Sequence, residues 1–589
     1  MLLVPGILNG MTEQELRDLI ADGETLTVEF KSDRQSGLSD HEMQEAVVCL
    51  ANHEGGHLLI GVEDDGRITG LHPKHARSSA SALASALRNY LMGSMPPDIR
   101  CDFVSTTDGL VAVIEVSKAR APVSTSRSVT LRRGIGPDDR PHCLPVGPDE
   151  IVSLRATRGL YDHSARALPE LRFDDLSRAE LDRIRTFIRA QPQATKTLSE
   201  LGDHDLAVSL KLVTRHESRF VPTILGLLLA GTQEALEEHV PVHSVALQDL
   251  DPGRGVTAND FYREPLLRIW ERFEGFFGAR NTEREVDLGL NLQRTAIPRY
   301  PRRAVREAFA NALVHRDYAL LGAIQFQFKD RDSDLEISSP GGFVDGVTDR
   351  TILTSGSVPR NEHLAEAFRH LGLVERSGRG VPRIFEDVLS LGRPAPVYRS
   401  TTRKVTVTIP GGAADAKFIE MVVRAQDRHQ RMDWAHLLVL HHLSRLREVD
   451  VQDAAHFLEG DELRARRVLE EMVDWGLLER RGRRKHTFHL SEDAYQELDR
   501  DADYQNRKGL DETQQEDLVI DFLRAHGRVT RAEVERLCRI DASQADYLLR
   551  RMREEDKIVL GQTGRYAYYV AVSESSNSES NSESNSEKN

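Results

Sequence analysis

The chain has 589 residues, too many for one hydrophobic core, so it must divide into several domains. Its 93 acidic side chains outnumber its 78 basic ones, and the net charge of −15 excludes a basic coat for indiscriminate nucleic-acid binding, leaving only local patches for that task. The four cysteines, Cys49, Cys101, Cys143 and Cys538, form no Cys-x-x-Cys pair, so neither a disulfide framework nor a thiolate zinc site is supported and a reducing cytoplasm is expected.

The longest apolar run, Ile224 to Ala230, falls far short of the roughly 20 residues a membrane helix needs. The opening MLLVPGILNG has no basic start and no cleavage site, which reads as non-secretory. Thr12 and Glu15 stand at capping-box spacing and open a first helix. Residues 24–32, ETLTVEFKS, alternate so that Leu26, Val28 and Phe30 share one face of a strand and Glu29 and Lys31 the other. A helix over 41–52 follows, then GGHLLIGVEDDGRITGL, read as two strands joined by a turn at Asp64, Asp65 and Gly66. Residues 77–94 predict a helix, 111–116 a strand, and 128–150 a loop-rich segment with Arg132 and Arg133 placed for phosphate contact.

The segments E-x4-EFK, ANHEGG, LLIGVEDDG, VAVIEVSKARAP and TLRRG resemble a Schlafen-type AlbA_2 domain, expected over 1–158. That resemblance implies a nucleic-acid domain, with Glu24, Glu29 and Asp64 as a three-carboxylate metal site for Mg²⁺ or Mn²⁺ and Lys31 as a phosphate contact. The same residues also suit plainer roles, Asp64 in a tight turn and Glu29 with Lys31 in an ion pair.

From about 159 to 290 the sequence turns helical, with strands expected in PTILGLLLAG and HSVALQDL, as a connecting region that packs with the segment C-terminal to it. Residues 303–318, RAVREAFANALVHRDY, carry an apolar stripe with Glu307 and Asn311 four apart on one side of a helix. A carboxylate that orients water beside an amide oxygen for Mg²⁺ suits an ATP site. Two glycine clusters follow, Gly341-Gly342 after a strand at 335–338 and Gly378-Arg379-Gly380 before a helix over 381–389. Together these segments resemble the ATP-binding fold shared by gyrase-type, chaperone and histidine-kinase ATPases (GHKL), in the divergent form found in helicase-like (RecG-like) bacterial proteins, expected over 291–412. The resemblance implies Glu307 as catalytic carboxylate, Asn311 as magnesium ligand and Gly378 with Gly380 as the phosphate lid. The chain departs from that family at SSPGGF, 338–343, where the usual Asp-x-Gly-x-Gly lacks its aspartate, so slow hydrolysis is expected. His315-Arg316-Asp317 is similar to a kinase catalytic loop, but Gly322 stands where asparagine is needed, and no phosphate-loop motif supports a helicase motor.

Past Gly411 and Gly412, two modules of three helices and a hairpin read as winged helices, over 413–500 and 501–572. In the first, Arg464, Arg466 and Arg467 lie on the third helix, and Arg480, Arg481, Arg483, Arg484 and Lys485 crowd the wing, a local footprint for DNA. In the second, Arg550, Arg551 and Arg553 are followed by Glu554, Glu555 and Asp556, which suits dimerisation or protein contact equally well. The Ser-, Glu- and Asn-rich stretch over 573–589 predicts a disordered tail. The whole is expected to be a multidomain α+β protein with ATP and Mg²⁺ as ligands and nucleic acid, DNA before RNA, as partner. A homo-oligomer is left open. The expected role is a cytoplasmic transcriptional regulator, and the alternative is a metal-dependent nuclease governed by the ATP site, acting in phage defence.

Overall fold

The computed structural model describes residues 11–571 other than 35–36, 192–195, 252–254, 288–293, 330–333, 375–377, 430–431, 447, 482–486, 499–511, 539, 541, 556 and 563–567. These residues form a multidomain α+β protein in two compact units. The first draws on Met1–Thr282, Arg302–Ile384 and Tyr398–Thr408, the second on Glu283–Pro301, Phe385–Val397 and Ile409–Asn589. Among the described residues no helix is long and apolar enough to cross a membrane.

The first unit opens with a four-stranded sheet in the order Val28–Lys31, Gly55–Ile60, Leu110–Ser117, Ile99–Ser105. Its first pair is parallel, and the crossover such a pair requires is supplied by helix Asp40–Ala51. Strand alternation divides the apolar residues between two faces. Val28, Phe30, Leu59, Val111 and Val113 pack on Leu16 of helix Glu13–Ala21, while Leu58, Ile60, Ala112 and Ile114 pack on Val47, Leu50, Leu83 and Leu87. Thr12 with Glu15, and Ser39 with Glu42, close reciprocal capping boxes on the first two helices.

Three expectations are corrected in this unit. The segment read as loop-rich contains the hairpin Leu131–Ile135/Pro141–Pro145, because the polar stretch 136–140 is a turn closed by Gly136 N–H donating to Arg140 O at 2.8 Å. Cys49 and Cys143, 94 residues apart in sequence, are joined as a disulfide with a Cα–Cα distance of 5.7 Å. Local spacing could not show this, since the hairpin brings Cys143 onto helix Asp40–Ala51 through tertiary packing. Finally, the apolar run Ile224–Ala230 is a fully buried helix and not a strand. Short apolar runs are ambiguous between the two, and Thr223 decides here by capping Gly226 N–H through its hydroxyl.

A second sheet in this unit runs in the order Gly255–Tyr262, Val245–Asp251, Ile324–Phe328, Leu335–Pro340, Lys404–Ile409, Val397–Ser400. Phe326 of its third strand packs on Phe273 and Phe309, whose rings stack at 4.1 Å, so helices Leu266–Arg280 and Arg302–Val314 share one aromatic core. That core fixes the helix bearing Glu307 and Asn311.

In the second unit, helices Trp434–Leu443, Val451–Phe457 and Glu462–Asp474 precede the hairpin Leu478–Arg481/Thr487–Leu490. Helices Glu512–His526, Arg531–Cys538 and Ala542–Glu554 precede strands Ile558–Gln562 and Tyr568–Ala571 around a core of Val519, Leu523, Val534 and Leu548. Arg483, Arg484, Lys485, the side chain of Arg481 and the 573–589 tail lie outside the described residues.

Candidate nucleotide site and nucleic-acid surfaces

Helix Arg302–Val314 turns its polar stripe toward an open cavity. Glu307 and Asn311 border it one helical turn apart, and His315 continues the stripe a turn later. The opposite walls come from Gly341 and Gly342, after strand Leu335–Pro340, and from Gly378 and Gly380 at the start of helix Gly380–Leu389. Gly341 is required twice over: its φ is +101°, and a Cβ there would meet the Asp317 Cβ at 2.7 Å. At Gly380 a Cβ would run into the Glu307 carboxylate, so glycine is what lets that helix approach the acid.

Burial lifts the Glu307 carboxyl above the usual carboxylate range, opposed by the charges of Arg383 and Arg303. Burial, with Arg360 adding to it, pushes His315 down to about 4, so it is neutral at physiological pH. The Ser339 hydroxyl, on the cavity wall, donates to Ala312 O at 2.8 Å. The donor set suits Mg²⁺ and a polyphosphate: a neutral amide oxygen at Asn311, a carboxylate at Glu307, and glycine backbone that a ligand can approach closely.

Beneath the cavity, Arg316 and Asp317 are scaffolding. Arg316, fully buried, donates to Asp317 O at 2.8 Å, to Gly322 O at 2.7 Å and to Val242 O. Asp317 pairs with Arg360 at 3.3 Å, with side chains 2% and 1% exposed. Arg360 also donates to His315 O at 3.1 Å, Gly342 O at 2.8 Å and Thr157 Oγ1 at 2.8 Å. Asn361 ties Val314 O and Arg316 O through one amide, both at 2.8 Å.

The carboxylates of the N-terminal sheet are arranged otherwise than a shared cation requires. Glu29 is buried and ion-paired with both Arg133 and Lys31. Glu24 spends one oxygen on Phe30 N–H at 2.9 Å, and its carboxyl is pushed up by burial and then by the Glu29 charge. Asp64 is exposed on its turn, while the neighbouring Glu63 accepts from Ser32 Oγ at 2.9 Å and Thr69 Oγ1 at 2.7 Å. Among the described residues no three His, Cys, Asp or Glu side chains converge to hold a metal. The central acid of the expected triad is thus already paired with one guanidinium and one ammonium.

Two family models match the chain. "Schlafen, AlbA_2" covers residues 24–137, and "Putative ATP-dependent DNA helicase recG C-terminal" (HATPase_c_4) covers residues 326–409. The chain thus carries an AlbA_2 domain and an HATPase_c_4 domain. These domains mark a nucleic-acid-related, ATP-binding protein. A solved structure, that of the DIP2311 protein from Corynebacterium diphtheriae, is 23% identical, with a TM-score of 0.48, and the match covers 83% of this chain and 98% of the other.

The cavity contains residues that spacing did not single out, among them Arg369 and Tyr398. His315 was within reach of sequence reasoning, standing four beyond Asn311. Arg360 was not, since nothing in the sequence links it to Asp317, 43 positions earlier. In the AlbA_2 domain, Arg133 is 2% exposed and donates to Thr25 O and Val28 O at 3.0 and 2.9 Å, so it is a buried strut unavailable to phosphate. Arg132 lies 3.8 Å from Glu150. Past the HATPase_c_4 domain, Arg464 stacks over Trp434 at 4.4 Å and reaches Asp433 at 3.4 Å, which commits it to packing. Arg466 and Arg467 are exposed on the outer face of the same helix, and Arg480 sits over Phe488 at 5.8 Å.

Proposed function

We propose that this chain is an ATP-binding regulator that engages DNA through its AlbA_2 domain and the first of two C-terminal winged helices, in control of transcription. The observation that carries the reading is the convergence of Glu307, Asn311, Gly341, Gly342, Gly378 and Gly380 on one cavity. When bound, Mg-ATP would bring its phosphates to the glycine walls and its cation to the Asn311 amide oxygen. Glu307 would orient water, and the lack of an aspartate in the segment SSPGGF, 338–343, favours slow turnover. The outward arginines Arg466 and Arg467 on helix Glu462–Asp474 supply the face a major groove accepts. Calorimetry with Mg-ATP tests the nucleotide half, and salt-dependent duplex binding the other.

The nuclease alternative finds less support at Glu29, whose charge is taken up by Arg133 and Lys31. Divalent-ion assays on DNA and RNA decide it: cleavage by the parent that disappears in Glu24→Ala, Glu29→Ala and Asp64→Asn would reinstate that reading.

A further inference from the structure

The cavity wall and the AlbA_2 domain are joined by two sets of hydrogen bonds that meet at the adjacent residues Thr157 and Arg158. Arg360 grips two carbonyls of cavity-lining residues, His315 O and Gly342 O, and with its remaining nitrogen holds Thr157 Oγ1 at 2.8 Å. Thr157 ends helix Pro148–Thr157, and Ser153 of that helix donates to Asp317. Asp345 N–H reaches the Thr157 carbonyl at 3.0 Å. The next residue, Arg158, donates to Asn52 O at 2.8 Å. Asn52 in turn donates to Leu131 O at 2.9 Å and Val123 O at 2.7 Å, and Leu131 opens the hairpin that carries Arg132 and Arg133. A second tie, the Cys49–Cys143 disulfide, fastens the other strand of that hairpin to the helix that Asn52 caps.

We propose that nucleotide binding is coupled to DNA binding by the AlbA_2 domain through the Arg360–Thr157 contact and the Arg158–Asn52 contact behind it. The inference rests on the ATP-binding reading of the cavity. Its physical basis is that the Arg360–Asp317 pair has almost no solvent access, so water cannot replace a bond that Gly342 O or His315 O withdraws. A ligand that moves the Gly341–Gly342 wall must therefore shift Arg360, and Arg360 can shift only with the helix that ends at Thr157. Close packing passes such a displacement on instead of absorbing it. By linkage, DNA on the AlbA_2 domain must change nucleotide affinity by the same factor that nucleotide changes DNA affinity.

The experiment uses the full chain and isothermal calorimetry of Mg-ATP, with and without a saturating mixed-sequence DNA duplex. The wild type should show ATP affinity altered by about fivefold or more when duplex is present. Thr157→Val removes the hydroxyl that Arg360 holds; each ligand alone should bind as in the wild type, and the coupling should fall to within about twofold of none. Thr157→Ser restores the hydroxyl and should restore the coupling, which a merely structural role for the side chain's bulk would not predict. Coupling that persists in Thr157→Val, or is absent from a wild type that binds both ligands, overturns the proposal. A wild type that binds no Mg-ATP overturns the reading beneath it as well.

Discussion

Asp317 offers the sharpest separation between a catalytic-looking motif and its structural role. Its carboxylate accepts from Arg360 at 3.3 Å, from Ala319 N–H at 2.9 Å and from Ser153, with 2% of the side chain exposed. Asp317→Ala would leave the Arg360 guanidinium charged, buried and facing only neutral oxygens. Breaking a buried pair in this one-sided way costs about 3–5 kcal/mol. The exposed Arg88–Asp98 pair is an internal control: its separation is shorter, 2.8 Å, yet its side chains are 45% and 54% exposed. Such surface pairs contribute about 0–1 kcal/mol, so Asp98→Ala should scarcely register. Urea unfolding followed by circular dichroism measures both variants against the wild type. Asp317→Ala should lower the midpoint of the first transition several times further than Asp98→Ala. Equal, small shifts would refute the argument that Arg360 and Asp317 form a desolvated brace.

Acid should destabilise the fold through its buried imidazoles. Burial pushes His163, His243, His315 and His442 from 6.5 to about 4 and His441 to about 3. The unfolded chain therefore binds more protons between those values, and stability present above about pH 6.5 is lost as pH falls toward 4. A pH series of urea midpoints checks this, and His441→Gln should flatten the slope. Among the arginines of helix Glu462–Asp474, Arg464→Ala should cost stability and alter the salt dependence of duplex binding little, because Trp434 and Asp433 hold it. Arg466→Ala and Arg467→Ala should instead each reduce the salt slope by about one unit, read by fluorescence anisotropy over a salt series. In divalent-ion assays the parent should leave DNA and RNA intact, since Glu29 is already neutralised by Arg133 and Lys31.

Much of the nucleotide site was legible because it is local. Glu307 and Asn311 are neighbours on one helix, and the glycines mark close approaches that need no Cβ. The strand bearing Val28 and Phe30 was legible for the same reason, since alternation is a property of a few adjacent residues. What escaped depends on pairing across the fold. Arg133 looks like a surface arginine in LRRG, and only the hairpin's docking against strand Val28–Lys31 turns it inward to Glu29. Cys49 and Cys143 have no local relation, and Arg360 finds Asp317 only because two loops close under the cavity. Ile224–Ala230 went wrong for a different reason: a continuous apolar run has no period, so cap geometry and not hydrophobicity made it a helix.

The central claim, that Asn311 and Glu307 face a magnesium nucleotide, is tested most directly by titrating ATP into the wild type and Asn311→Ala, first with Mg²⁺ and then with a chelator. The amide oxygen acts only through the cation, so the variant should bind Mg-ATP at least about a hundredfold more weakly. In chelator the two proteins should bind ATP alike. Mg-ATP affinity unchanged in Asn311→Ala would contradict the account.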